Sequence, residues 1–143
     1  MAYCTQAEIE TMVSASLVVQ LTDDLNTGSA IAATVNDAIA KADALIDAHL
    51  RNNHHVPIAV VPELVNMLSV DLAVYYLFIR RAHSFEMPEW VVTKHDDSLS
   101  LLRDIRAGAI DVGIEPPPPT SSAQIADTDG PERLFTEDTL AGF

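Results

Sequence analysis

Basic residues are scarce in this chain. Eight lysines and arginines stand against 21 aspartates and glutamates, for a formal net charge of −13 at neutral pH. A surface of that sign repels phosphate and argues against tight wrapping of nucleic acid, although DNA could slide past it without sticking. Cysteine is nearly absent too. Cys4 alone permits no intrachain disulfide and no cysteine-based metal cage, and its expected role is that of a small hydrophobe near the first helix. Long apolar runs are missing. The most apolar stretch runs from Leu72 to Ile79, and extending it back to Leu64 takes in Asn66, Ser69 and Asp71. A membrane span needs about 20 mostly apolar residues, so a buried helix is expected here and no membrane contact. Met1-Ala2-Tyr3-Cys4 lacks a basic start and an apolar run, so no signal peptide is expected. Nor is there a phosphate-binding glycine loop, a Gly-x-Ser-x-Gly elbow or a Cys/His dyad.

What is present reads as helix. With 143 residues and 48% apolar composition, the chain can build one domain with a real core. Thr5-Gln6-Ala7-Glu8 fits a capping box, which predicts a helix over 5–13. Leu17-Val18-Val19-Gln20-Leu21 is ambiguous between helix and strand, and a short helix ending near Thr22 is the preferred reading. Residues 23–29 form a loop with Asn26 and Gly28 as turn residues. Ile31, Val35, Ile39, Ala42, Ile46 and Leu50 recur every three or four positions, one face of a helix over 32–51, with Asn36, Asp37, Lys41, Asp43 and Asp47 largely off that face.

Pro62 suits the first turn of a third main helix over 62–81, apolar almost all round and therefore central. Pro88 opens a fourth over 88–107, with Val91, His95, Leu99, Leu102 and Ile105 on one face and Gly108 as its stop. Ile39, Ile46, Leu68, Leu72, Leu99 and Leu102 are expected in one core. The fold class is therefore all-α, a bundle of four to five helices.

The final stretch differs. Pro116-Pro117-Pro118-Pro119 favours an extended polyproline II spacer, and the large apolar residues beyond it are few: Ile125, Leu134, Phe135, Leu140 and Phe143. Such a segment cannot repay its ordering entropy alone. The division expected is a helical domain, 1–114, and a proline-rich spacer with an extended docking arm, 115–143. Arg133, Leu134, Phe135, Leu140 and Phe143 are its candidate partner-binding residues.

Candidate chemistry is thin. Of the five histidines, His54 and His55 are adjacent and point apart on any regular element, while His95 sits on a core-facing helix stripe, as a buried or half-buried imidazole would. Asp24-Leu25-Asn26-Thr27-Gly28 resembles a calcium loop only faintly. Its glycine comes one place early, and Val35 stands where a bidentate glutamate is needed. Asp71 interrupts an apolar helix face. It is either a general acid or, on the simpler reading, a structural acid facing Arg80, Arg103 or a neighbouring subunit. No catalytic residue, cofactor or metal site is expected, and the chain is read as no enzyme.

Several segments in order carry a family likeness: Met1-Ala2-Tyr3-Cys4-Thr5-Gln6-Ala7-Glu8, Gln20-Leu21-Thr22-Asp23, Thr27-Gly28, and Ala42-Asp43-Ala44-Leu45-Ile46-Asp47-Ala48-His49-Leu50. They continue with Val56-Pro57-Ile58, Val61-Pro62, Leu101-Leu102-Arg103-Asp104-Ile105 before Gly108, Pro131-Glu132-Arg133-Leu134-Phe135-Thr136 and Leu140-Ala141-Gly142-Phe143. Together they resemble the Mu-like phage and prophage head–tail connector (head-completion, adaptor) family, over essentially the whole chain. The chain departs from the family pattern at His54 or His55 and at His95, where tyrosine is usual, and at Ser14, where glycine is common.

The resemblance implies a structural subunit of the virion neck, assembled in the host cytoplasm. It would dock on the portal protein as a ring with copies of itself, commonly twelve. It would join the capsid vertex to a downstream neck, stopper or tail-terminator protein, and DNA would pass through the lumen unbound. The alternative class is an acidic regulator that mimics DNA, or a small enzyme of phage origin. A missing catalytic constellation counts against the enzyme. The thin charge of the tail, five acids and Arg133 over 116–143, counts against the mimic.

Overall fold

The computed structural model describes residues 2–84 and 86–114. It contains five helices and, among the described residues, no strand: α1 (Gln6–Val13), α2 (Ala15–Thr22), α3 (Ala32–Leu50), α4 (Glu63–Arg80) and α5 (Glu89–Arg106). The fold is a small all-α bundle, as the periodicity predicts. The proposed arm residues Arg133, Leu134, Phe135, Leu140 and Phe143 lie outside the described residues.

Local chemistry sets the helix ends. At α1 the Thr5 hydroxyl accepts from the Glu8 amide while the Glu8 carboxylate accepts from the Thr5 amide at 2.7 Å, the reciprocal capping box. Between α1 and α2 the chain turns on Ser14 at φ 75° and ψ 144°, a conformation that suits glycine better than serine. The ambiguous apolar run resolves as α2. Its last residue, Thr22, is wholly buried, donates to the Val18 carbonyl at 2.7 Å and accepts from the Ile31 amide at 3.2 Å, tying the end of α2 to the start of α3. Asn26 and Gly28 both take positive φ, as their turn roles require. At the far end of α5, Gly108 at φ 76° closes a Schellman turn. Its amide donates to Ile105 O and the Ala109 amide to Asp104 O. Pro62 and Pro88 stand just before α4 and α5, one place earlier than their expected first-turn positions.

The helix expected to be central, α4, is so: every other helix packs against it. Val65, Leu68, Leu72, Ala73 and Leu77 are inaccessible to solvent, and Val35, Ile46, Leu50, Leu102 and Ile105 meet them from α3 and α5. Each fully buried Leu or Ile side chain contributes about 1.5–3 kcal/mol relative to exposure.

Two expectations change here. Leu99 is only half-buried and lies outside the core, while Ser98 is buried in its place. The buried line of α5 runs Val91, Ser98, Leu102, Ile105, so its inward face is rotated by one residue at mid-helix. Asp43, read as lying off the α3 core stripe, is buried. It stands four residues after Ile39 and three before Ile46, on the inner face itself.

Candidate interaction surfaces and the buried polar network

The first residues of the chain form a strap across α3 and α4, and a polar network holds it. Tyr3 and Cys4 are both buried. The Asp43 carboxylate accepts from the Tyr3 amide at 3.1 Å and from the Ser69 hydroxyl at 2.8 Å, and the same hydroxyl lies 3.1 Å from the Cys4 sulfur. The Tyr3 hydroxyl donates to Asp47 and accepts from the Ile58 amide at 3.3 Å. Asn66 on α4 completes the strap by donating to the Tyr3 carbonyl at 2.9 Å and to Glu8 at 3.0 Å. Each buried polar group of this network therefore answers another, the condition under which such groups are tolerated. Burial raises the Asp43 carboxyl above its ordinary range, although its two donors oppose the shift. Burial likewise pushes the Cys4 thiol to about 11 and, with Asp47 adding to it, the Tyr3 phenol to about 12. Glu8 moves the other way, held below the usual range first by the Thr5 hydroxyl and then by the Thr5 amide.

A second acid is handled differently. Asp71 on α4 is 6% exposed and lines a shallow groove between α1, α4 and α5, with Met12, Met67 and Val70 as its apolar part. Its partner is Lys94 of α5, 3.5 Å away from either carboxylate oxygen, longer than an ordinary charge-assisted hydrogen bond. The Lys94 side chain is 48% exposed. Burial raises the Asp71 carboxyl, and Lys94 only partly offsets it. The expected partners Arg80 and Arg103 do not reach it. Arg80 and Arg81 instead clasp Asp24, and they donate to the Leu21 and Asp23 carbonyls at 3.0 and 2.7 Å. These contacts hold the Asp24 carboxyl below its usual range, Arg80 contributing most. Asp23 caps the same loop by accepting from Leu25, Thr27 and Gly28. The loop with calcium-like spacing is thus a side-chain-capped turn. Among the described residues no group of three or more His, Cys, Asp or Glu side chains is placed to hold a metal ion.

The histidines are scattered. His95 is half-buried and stacks on Tyr75 with ring centroids 3.8 Å apart. His49 lies against the Leu45 carbonyl at 2.9 Å, and His55 is exposed in the connector after α3. Sequence reasoning missed Asp43 and Tyr3. The available signal was the 39–43–46 spacing, overridden by the habit of placing aspartate outside.

Polar side chains that serve the chain's own backbone, and an apolar groove with an acid at its floor, define a small all-α bundle that presents surfaces. The family described as Bacteriophage Mu, Gp36 matches residues 3–128, and the chain belongs to that family. It is thus a Mu-like phage protein, which suggests a part in phage structure or morphogenesis. No curated protein matches the chain. Among the described residues no helix is long and apolar enough to cross a membrane.

Proposed function

We propose that the protein is a head–tail connector subunit, an adaptor in the neck of a tailed phage, with a structural and non-enzymatic role. Copies of it form a ring on the portal protein and join the capsid vertex to the next neck or tail protein. The observation that carries this reading is the family match over residues 3–128. Three features support it. The net charge of −13 lets DNA pass a lumen without binding. The buried acid Asp43, the thiol of Cys4 and the phenol of Tyr3 are all occupied in fixing the strap. The tail composition suits an arm that reaches a partner.

Electron microscopy of the purified protein, alone and mixed with portal, tests the reading. Ring-shaped density on the portal vertex is expected. Failure to bind portal under conditions that assemble the rest of the neck sinks it. Deleting residues 131–143 is expected to leave thermal stability nearly unchanged and to abolish joining of heads to tails. If the deletion unfolds the protein, the arm belongs to its own core.

A further inference from the structure

The groove between α1, α4 and α5 combines two features that point to one kind of occupant. Its apolar part comes from Met12, Met67 and Val70, and Met67 is 43% exposed. Unbranched, polarisable methionines adapt to an incoming side chain and recur at docking surfaces. Its charge is acidic. Asp71 is buried with, among the described residues, only Lys94 at 3.5 Å to answer it, and Glu63 stands exposed at the amino end of α4. Glu8 adds negative charge but is already committed to Thr5 and Asn66. A segment carrying one guanidinium beside large apolar residues fits this chemistry, since an arginine satisfies a carboxylate with paired donors that a distant ammonium does not supply.

The chain holds such a segment. After Arg106 it has a single basic residue, Arg133, and Leu134-Phe135 follow it directly. Eighteen residues, 115–132, separate Ile114, where the described chain ends, from Arg133. Fully extended they span up to about 65 Å, more than the width of one domain of this size. Ile114 lies in a cleft with Pro62, the residue before Glu63, so the chain leaves its body near its own groove. The four prolines that begin two residues later favour a stiff spacer of about 12 Å, long enough with the residues that follow to reach a neighbouring copy.

We propose that the groove of one copy receives residues 131–136 of a second copy, with Arg133 approaching Asp71 and Glu63 and with Leu134 and Phe135 on the methionines. This deepens the ring reading, and it rests on that reading in requiring that copies meet.

A photocrosslinking amino acid at position 135 of the full-length chain, mixed one to one with uniformly ¹⁵N-labelled protein of the same kind, tests it. The expected products join position 135 to the proteolytic fragment containing Met67 and include mixed-isotope pairs, which only two different copies can give. Arg133→Glu is expected to lower that yield at least tenfold. Glu63→Arg, at an exposed site, is expected to do the same, and the two together to restore most of it. Products of a single isotope composition, attachment elsewhere, or no product overturn the proposal. So does a double variant that stays as poor as either single one. The portal-binding images are independent. A ring on the portal without groove crosslinks removes this inference and leaves the connector reading; crosslinks without portal binding do the reverse.

Discussion

Two carboxylates are buried in the same bundle and are treated in opposite ways. Asp43 on α3 accepts close hydrogen bonds from the chain's own amide and hydroxyl, at 3.1 and 2.8 Å, and sits in a network that fixes Tyr3 and Cys4. Asp71 on α4 is equally buried, yet among the described residues only a half-exposed lysine approaches it, at 3.5 Å. A buried charge with close donors organises the fold around it. One that is only grazed costs stability for as long as it stays unpaired. The first arrangement is complete within one chain, and the second is open on its groove side. The contrast separates an acid answered within its own chain from one left open on a groove, where composition and burial alone do not.

The largest expected effect tests the frame that both acids share. Leu72 lies next to Asp71 in the chain, inaccessible to solvent at the centre of α4. Leu72→Ala is expected to cost about 2–5 kcal/mol by denaturant unfolding. A loss below about 0.5 kcal/mol would mean that α4 is not the central helix.

Breaking the first acid comes next. Asp43→Ala strands the Tyr3 amide in the interior and leaves the Ser69 hydroxyl only the weak acceptor Cys4 sulfur, at an expected cost of about 1–3 kcal/mol. Asp71→Asn is expected to cost clearly less, or to stabilise, because it removes a desolvated charge with no close donor. Equal losses from the two changes would erase the distinction drawn here.

The pH dependence sharpens the same comparison. Tyr3 and Cys4 have folded-state values raised above their ordinary 10 and 9, to about 12 and about 11. Their protonated forms therefore contribute stability that is fully present below pH 9. It is lost as pH rises through the folded values, because the unfolded chain releases those protons first. Chemical denaturation between pH 9 and 12 is expected to show this decline. Tyr3→Phe is expected to flatten its upper part, whereas Asp71→Asn leaves it in place. An unchanged slope in Tyr3→Phe would refute the role given to the strap.

The smallest effect concerns the backbone beside the strap. Ser14 occupies a positive-φ position, and Ser14→Gly is expected to stabilise by about 1 kcal/mol, read as a rise in Tm. A fall in Tm would show that the turn draws more from the serine side chain than from its backbone geometry.

Much of the fold was legible in the sequence because the helices carry local signals. The Thr5–Glu8 box, the spacing from Val35 to Leu50, the prolines ahead of α4 and α5 and the glycine after α5 fix elements through interactions within a few residues. The all-round apolar character of Leu64 to Ile79 likewise marks the helix that others must surround. The family likeness was also legible, from short motifs in a fixed order. Tertiary structure alone decided which polar residues are interior and whom they serve. Asp43 meets Tyr3 and Ser69 across 40 and 26 residues of chain, and Arg80 meets Asp24 across 56. It also decided that Ser98 rather than Leu99 faces inward, and that Asp71 looks onto a groove with Lys94 instead of toward Arg80 or Arg103. The physical reason is range: helix formation is decided over a turn or two, whereas the partner of a buried charge depends on which distant residue the packed helices bring within about 3 Å of it.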